Sequence, residues 1–324
     1  MRYIIYGAGA VGGVIGARLH QHGHDVVLIA RGAHLDAIRA RGLTLETPLG
    51  SETLRIAAAT HPSELRFGAD DVVLLTMKTQ HTAGALADLR AAAGSDLPVV
   101  CAQNGVENER MAARLFAHVY AMLVILPATY LVPGVVQAHA APISGLLDTG
   151  RYPFGSDDLI ARVAADLDAA RLSSHAVPDA MRWKYAKLLS NLGNAVQAAC
   201  GLDAAAGALH ARAREEAIAC YRAAGLAWAS DAEMEQRRKS MSPLGAIAGR
   251  SRVGGSSWQS LARGAGSIES DYLNGEIALL GRLHGVATPV NAALQRIGER
   301  MAREGLAAGS LSAADIEREI AGET

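Results

Sequence analysis

A chain of 324 residues, half of them hydrophobic and with a formal net charge of −1, can support two domains with cores of their own. That balance argues against a nucleic acid or a membrane surface as partner, and no apolar run reaches the roughly 18–20 residues of a membrane span. Three cysteines (Cys101, Cys200 and Cys220) without a C-x-x-C pair argue against a disulfide framework or a zinc cluster, and with no signal-peptide layout in MRYIIYGAGA they fit a reducing cytoplasm.

The first half alternates between two kinds of segment. RYIIYG is a short apolar run, followed by a glycine turn and the helix candidate VGGVIGARLHQHG. DVVLIAR and AHLDAIRARG repeat the pattern, and DDVVLLTMK and LPVVCAQN add two more buried runs. Unbroken Val, Ile and Leu predict strands covered on both faces, as in a parallel sheet. Strand–helix alternation predicts a doubly wound α/β domain of the Rossmann type. YAMLVILPATY, GVVQAH and ISGLLD read as later strands, with hairpins among them. From about Asp157 the pattern turns helical, and after Pro178 only Ala-rich helices follow, broken at Gly201, Gly225, Pro243, Gly254-Gly255 and Pro289. The expected fold class is therefore an α/β Rossmann domain (1–175) followed by an all-helical domain (176–324), divided near the SSHAVP segment.

Gly7-Ala8-Gly9-Ala10-Val11-Gly12 is a G-x-G-x-x-G turn placed directly after a strand and opening a helix. The first glycine permits the tight turn, the second a close approach to a pyrophosphate, and the third close helix–strand packing. The helix N-terminus adds N–H donors for the anion. The second strand ends in Ala30-Arg31, where an NAD site would carry an acidic residue. A guanidinium there suits a 2′-phosphate, so NADPH is expected over NADH; the bland alternative is a solvated charge at a loop mouth. Two more strand ends carry Lys78 and Gln103-Asn104-Gly105, where doubly wound sheets place ligands. Lys78 suits either the cofactor or a carboxyl-bearing substrate, and Asn104 can both donate and accept. Singly, each also reads as an ordinary loop residue.

KLLSNLGN (187–194) lies among Trp183, Ala186, Leu188, Leu189, Leu192 and Val196, the pattern of a half-buried helix. Lys187, Asn191 and Asn194 then fall on one stripe of one face. An ammonium and two carboxamides are costly to bury, which points to a polar ligand against them. A snorkelling lysine is the alternative, and Lys184, one turn earlier, competes for the same role. Glu269, near the start of a helix expected from about Ser267, reads as a carboxylate on the helix dipole or as an inward-facing group. Gly254-Gly255-Ser256-Ser257 reads as a hinge or a carboxylate nest. The histidines show no ligand spacing, so no metal is expected.

The chain resembles the ketopantoate reductase family (2-dehydropantoate 2-reductases) along essentially its whole length. The resemblance rests on GAGAVG at 7–12, Arg31, Lys78, QNG at 103–105, W-x3-KLLSN at 183–191, SSWQSLARGAGSIESDYLNGEI at 256–277 and TPVN at 288–291. It implies NADPH-dependent reduction of a 2-oxo acid to a 2-hydroxy acid. It makes Lys187 the catalytic acid and Asn104 and Asn191 substrate contacts. It gives Ser257 the substrate carboxylate, and it puts Glu269 near nicotinamide and substrate. One departure stands out: the family's second helix asparagine falls on Ala195 here, with Asn194 one earlier and rotated by about 100°. The segment around Ser257 also lacks an acidic residue often found there in the family. Both leave the identity of the oxo acid open, ketopantoate being the first expectation and another 2-oxo acid or a non-catalytic NADPH-binding sensor the alternatives. The Ala- and Gly-rich second-domain helices suit a homodimer interface or a core equally.

Overall fold

The apolar runs of the N-terminal half become the strands of one large sheet. The computed structural model describes residues 1–201, 204–248, 254–264 and 266–322. Its first elements are β1 (Arg2–Tyr6), α1 (Ala10–Gln21), β2 (Asp25–Ile29), α2 (Gly32–Arg41), β3 (Leu43–Thr47), β4 (Gly50–Leu54) and β5 (Ala57–Ala59). Then come β6 (Asp71–Leu75), α3 (Thr82–Ala93), β7 (Val99–Cys101), α4 (Asn108–Ala113), β8 (Val119–Met122), β9 (Ala128–Thr129) and β10 (Val135–Ala138). β11 (Gly145–Leu146), β12 (Thr149–Arg151), α5 (Asp158–Ala169) and β13 (Leu172–Ser173) close the strand-bearing part. The remaining elements are helices: α6 (Ala180–Asn191), α7 (Gly193–Cys200), α8 (Ala204–Ala223), α9 (Asp231–Arg238), α10 (Ser256–Ala262), α11 (Asn274–His284), α12 (Pro289–Glu304) and α13 (Ala313–Ala321). No helix among the described residues is long and apolar enough to cross a membrane.

The large sheet runs β12-β8-β7-β6-β1-β2-β5, parallel except for β12 against β8. Its inner strands β6, β7 and β8, and the middle of β1, are buried on both faces, as expected of unbroken aliphatic runs, while the edge strand β5 is partly exposed. Tyr3 and Ile5 of β1 join one core with Val14, Ile15, Ile160 and Val163, from α1 and α5. Ile4 points the other way, into a core with Leu86 and Leu89 of α3. In the register of β1, Tyr6 sits between Ile29 of β2 and Leu75 of β6, so the loops after these three strands leave the sheet side by side. A second sheet, β4-β3-β10-β9, contains a hairpin at 43–54 that the apolar pattern does not reveal, because β4 is mostly exposed and polar.

The chain separates into two compact units, Met1–Lys184 with Ser230–Arg252, and Tyr185–Ala229 with Val253–Thr324. This departs from a single boundary at 175/176. The division falls inside α6, and one later segment belongs to the strand-bearing unit. Side-chain bonds hold that segment there. Arg237 donates to both oxygens of Asp148 (2.7 and 2.6 Å) and to Ser173 (3.1 Å), and Arg182 donates to both oxygens of Glu233 (2.9 and 2.7 Å). Leu244 adds a β-bridge to Ala140.

In the helical unit a chain of buried carboxamides ties four helices. Asn274 donates to the Leu192 carbonyl (3.2 Å) and to Asn291 (3.0 Å). Asn291 donates to the Ala213 carbonyl and to Glu216, both at 2.8 Å. Glu216 in turn accepts the N–H groups of Val290 (2.9 Å) and Asn291 (3.0 Å), neutralising the first turn of α12. The expected helix through KLLSNLGN is interrupted at Leu192. The carbonyls there have other donors: His210 lies 3.0 Å from the Leu189 oxygen, and Asn274 takes the Leu192 oxygen.

Asp148 is 1% exposed, so removing its partner strands a buried carboxylate. Arg237→Ala is expected to cost about 3 kcal/mol in denaturant-monitored stability, whereas Arg212→Ala, at the exposed pair with Glu317, stays within about 1 kcal/mol.

Candidate functional site

The turn between β1 and α1 is shaped by what its glycines touch. Gly7 has φ +107°, and a Cβ there would stand 2.7 Å from the Met77 nitrogen. At Gly12 a Cβ would strike the Thr76 hydroxyl and stand 2.5 Å from the Gly7 carbonyl. Gly9 is different: a Cβ would meet nothing within 4 Å. The first and third glycines are thus required by protein packing, while the second faces open space at the N-terminus of the 12-residue α1, whose first turn has no acidic side chain. Open backbone beside a helix N-terminus is what a pyrophosphate needs.

Positive charge gathers beside this turn. Arg31, exposed, is the N-cap residue of α2. Lys78 precedes the 3₁₀ turn Thr79–His81, and the His81 N–H donates to the Lys78 carbonyl (2.9 Å). Partial burial, then the charges of Arg31 and Lys78, hold the His81 imidazole below its ordinary pKa. Burial and Asp88 raise the Tyr6 phenol, with Arg31 opposing. Arg31 and Lys78 therefore both act on one locality, past the ends of β2 and β6, whose positive potential suits an anion.

Asn104 lies past β7 on a loop held by a network that the sequence does not announce. Gln103 donates to the Met77 carbonyl and to the Thr82 hydroxyl, both at 2.8 Å. Thr82 donates to Asn108 (2.8 Å), which donates to Thr79 (3.2 Å) and to the Asn104 carbonyl (3.0 Å). The loops after β6 and β7 are thus one hydrogen-bonded piece. The buried Gln103 Oε1 has no partner among the described residues.

Lys184 belongs to this scaffold. It is 3% exposed and donates to Glu109 (2.5 Å), to the Gln103 carbonyl (2.9 Å) and to the Cys101 carbonyl (3.5 Å). Burial raises the Glu109 carboxyl more than the Lys184 charge lowers it. Its three hydrogen-bonding directions are thus occupied by the loop it supports. Lys187, three residues on, is half-buried.

The other candidates lie on the helical unit. Asn191 ends α6, 4% exposed, and its Oδ1 has no partner among the described residues. Asn194 is on α7, beyond the interruption, so the single stripe expected for Lys187, Asn191 and Asn194 is not one continuous helix. It comes instead beside the segment leading to Ser257: a Cβ at Gly255 would be 3.4 Å from its Oδ1. Gly255, whose N–H donates to Gln197 (2.7 Å), is the N-cap residue of α10, and Ser257 is buried in its first turn. Glu269 is buried but is not on a helix. It precedes the 3₁₀ turn Ser270–Tyr272, and α11 starts only at Asn274, so the expected stabilisation by a helix start does not apply. The reason is packing: Ile268 and Ser270 close onto Gly298 of α12, each 2.9 Å from where a Cβ would be.

Residues 3–152 match the family described as ketopantoate reductase PanE/ApbA, and residues 179–301 match its C-terminal counterpart, ketopantoate reductase PanE/ApbA C terminal. The 2-dehydropantoate 2-reductase of Caulobacter vibrioides is 31% identical over 307 residues, 89% of this chain and 94% of that one. With two further curated relatives, both from Pyrococcus, the match spans 61% of their length. A PanE/ApbA family ketopantoate reductase from Ralstonia eutropha JMP134 superposes with a TM-score of 0.78 at 31% identity, covering 94% of this chain and 99% of that one. A D-mandelate dehydrogenase, solved with NADH and anilino(oxo)acetate, superposes at 0.81 with 22% identity over 94% of this chain and 99% of its own, a likeness of fold.

The glycines predict a clean separation. Gly12→Ala should overpack the turn by about 1–3 kcal/mol, lowering the melting temperature by roughly 5 °C. Gly9→Ala should leave the melting temperature unchanged and weaken nicotinamide-dinucleotide binding about tenfold or more by calorimetry.

Proposed function

The chain belongs to the ketopantoate reductase family, and from that premise we propose that it reduces a 2-oxo acid to the 2-hydroxy acid with NADPH, 2-dehydropantoate being the first substrate to test. The observation that carries this reading is the turn after β1: Gly7 and Gly12 are locked against the end of β6, Gly9 is open, and Arg31 and Lys78 bring charge to the same edge.

NADPH, when bound, supplies the hydride for the substrate carbonyl carbon. The chain's residues do the rest. Arg31 takes the 2′-phosphate through charge-assisted hydrogen bonds, with Lys78 adding charge beside it. Lys187 stabilises the developing alkoxide and passes it a proton from Nζ. In this reading the Asn104 and Asn191 carboxamides would orient the substrate, Ser257 would receive its carboxylate, and Glu269 would supply the contact to nicotinamide and substrate that the family resemblance implies. The sequestration of Lys184 by Glu109 supports Lys187 as the donor.

A second reading is a reductase for a different 2-oxo acid. It is favoured by Ala195, which is buried in the helical core while Asn194 stands beside Gly255. The polar contact that the family places at that position therefore reaches a different point. NADPH oxidation measured with a panel of 2-oxo acids separates the two readings, and binding without turnover of any acid would instead make the chain a sensor.

Lys187→Ala should lower kcat by about 10²–10⁴-fold; a near-normal rate reassigns the donor. Arg31→Ala should weaken NADPH roughly tenfold or more, as expected for a lost charge-assisted contact, and leave NADH within about twofold. Equal losses for both cofactors would remove the phosphate role.

A further inference from the structure

One buried histidine stands beneath the glycine turn. His34, on the first turn of α2, is 6% exposed. Its Nδ1 accepts the Gly134 N–H (2.9 Å), and its Nε2 lies 2.7 Å from the Ala8 carbonyl oxygen. A backbone N–H can only donate, so Nδ1 must carry the lone pair. Nε2 therefore carries the hydrogen and donates it to Ala8. Gly134 reaches the ring because it lacks a side chain: φ is +83°, and a Cβ would stand 2.9 Å from that of Ala37 on α2. The imidazole also packs on Tyr130, with ring centroids 4.4 Å apart. Ala8 is the middle residue of the G-x-G turn, so the direction of its carbonyl sets the plane of the peptide that leads into Gly9.

We propose that His34 is a positioning residue for the dinucleotide: in its neutral form, protonated on Nε2 and seated on the Gly134 N–H through Nδ1, it holds the Ala8 carbonyl and so the shape of the pyrophosphate loop, and a second proton, which can only go on Nδ1, breaks the Gly134 contact that seats the ring. The proposal rests on the nicotinamide-cofactor reading above. A proton on Nδ1 would point at the Gly134 N–H, donor against donor, and leave a buried amide without its acceptor. The groups facing the ring are few. The glycine turn and Gly134 present backbone only, Tyr130 presents a phenol, and α2 carries Asp36, Arg39 and Arg41 with Arg31 as its N-cap residue, none of which contributes to the shift of the ring. Burial lowers the His34 pKa from its ordinary 6.5, with the Ala8 carbonyl opposing more weakly. The folded chain therefore binds fewer protons than the unfolded chain below that value. The hold is complete above about pH 6.5 and is lost as pH falls through the lower folded value.

The test is titration of the full chain with NAD⁺ and NADP⁺ from pH 8.5 down to the lowest pH at which the chain stays folded, with the melting temperature followed at each pH. NAD⁺ has no 2′-phosphate, so any acid limb in its binding belongs to the protein. The wild type is expected to lose affinity for both dinucleotides once pH falls below the lowered folded value of His34, by up to about tenfold per pH unit, as one linked proton requires. His34→Gln, which can donate and accept but does not titrate, should bind more weakly at pH 8 with that acid limb flattened. ¹⁵N NMR should show the Nε2–H tautomer at pH 8. An unchanged acid limb in His34→Gln, or wild-type NAD⁺ affinity in a folded His34→Phe, overturns the proposal while leaving the cofactor reading intact. Failure of the wild type to bind either dinucleotide at pH 8 overturns both.

Discussion

How closely the turn after β1 passes the end of β6 governs the whole carboxyl edge of the large sheet. The Thr76 hydroxyl donates to the carbonyls of both Tyr6 (3.1 Å) and Gly7 (2.9 Å), pinning one strand end to the turn of its neighbour. Side chains at 7 or 12 would occupy the space this contact uses. Because β1 lies between β2 and β6, the pinned turn, Arg31 and Lys78 share one edge of the sheet. Parallel strands that point their ends the same way are what make that edge a place for a ligand.

Buried polar groups hold the next loop just as firmly. Lys184 and Glu109 form an ion pair that gains little net stability, since desolvating both charges offsets most of their attraction. What it supplies is position: one ammonium fixes the carbonyls of Cys101 and Gln103, on either side of the step from β7 into the Asn104 loop. The Gln103–Thr82–Asn108 bonds then tie that loop to the one carrying Lys78. A rigid base of this kind is what a binding group on a loop requires.

The segment of the helical unit that looks most family-specific turns out to carry architecture as well as candidate ligands. Asn274 and Asn291, from SIESDYLNGEI and TPVN, are buried and bond helix to helix, and Glu216 completes the network by capping α12. Two histidine and asparagine contacts at the Leu189 and Leu192 carbonyls set where α6 gives way to α7.

The strands of the large sheet were legible because a strand buried on both faces must be aliphatic throughout, and RYIIY, DVVLI and DVVLL are. The glycine turn was legible because its backbone demands a residue without a side chain. The hairpin at 43–54 was not, since a half-exposed strand such as GSETL carries no continuous apolar run. Nor was the return of residues 230–252 to the strand-bearing unit, which depends on Asp148 meeting Arg237 from 89 positions away. Lys184 and Lys187 show the division most plainly. Sequence alone determined that a lysine-bearing helix follows a dinucleotide-type domain, because local periodicity and backbone freedom are written in neighbouring residues. Only the tertiary structure decided that Lys184 joins the loop scaffold, because Glu109 and the two strand-end carbonyls that bind it come from a distant part of the chain, and helical spacing says which way a side chain points but not what it will face.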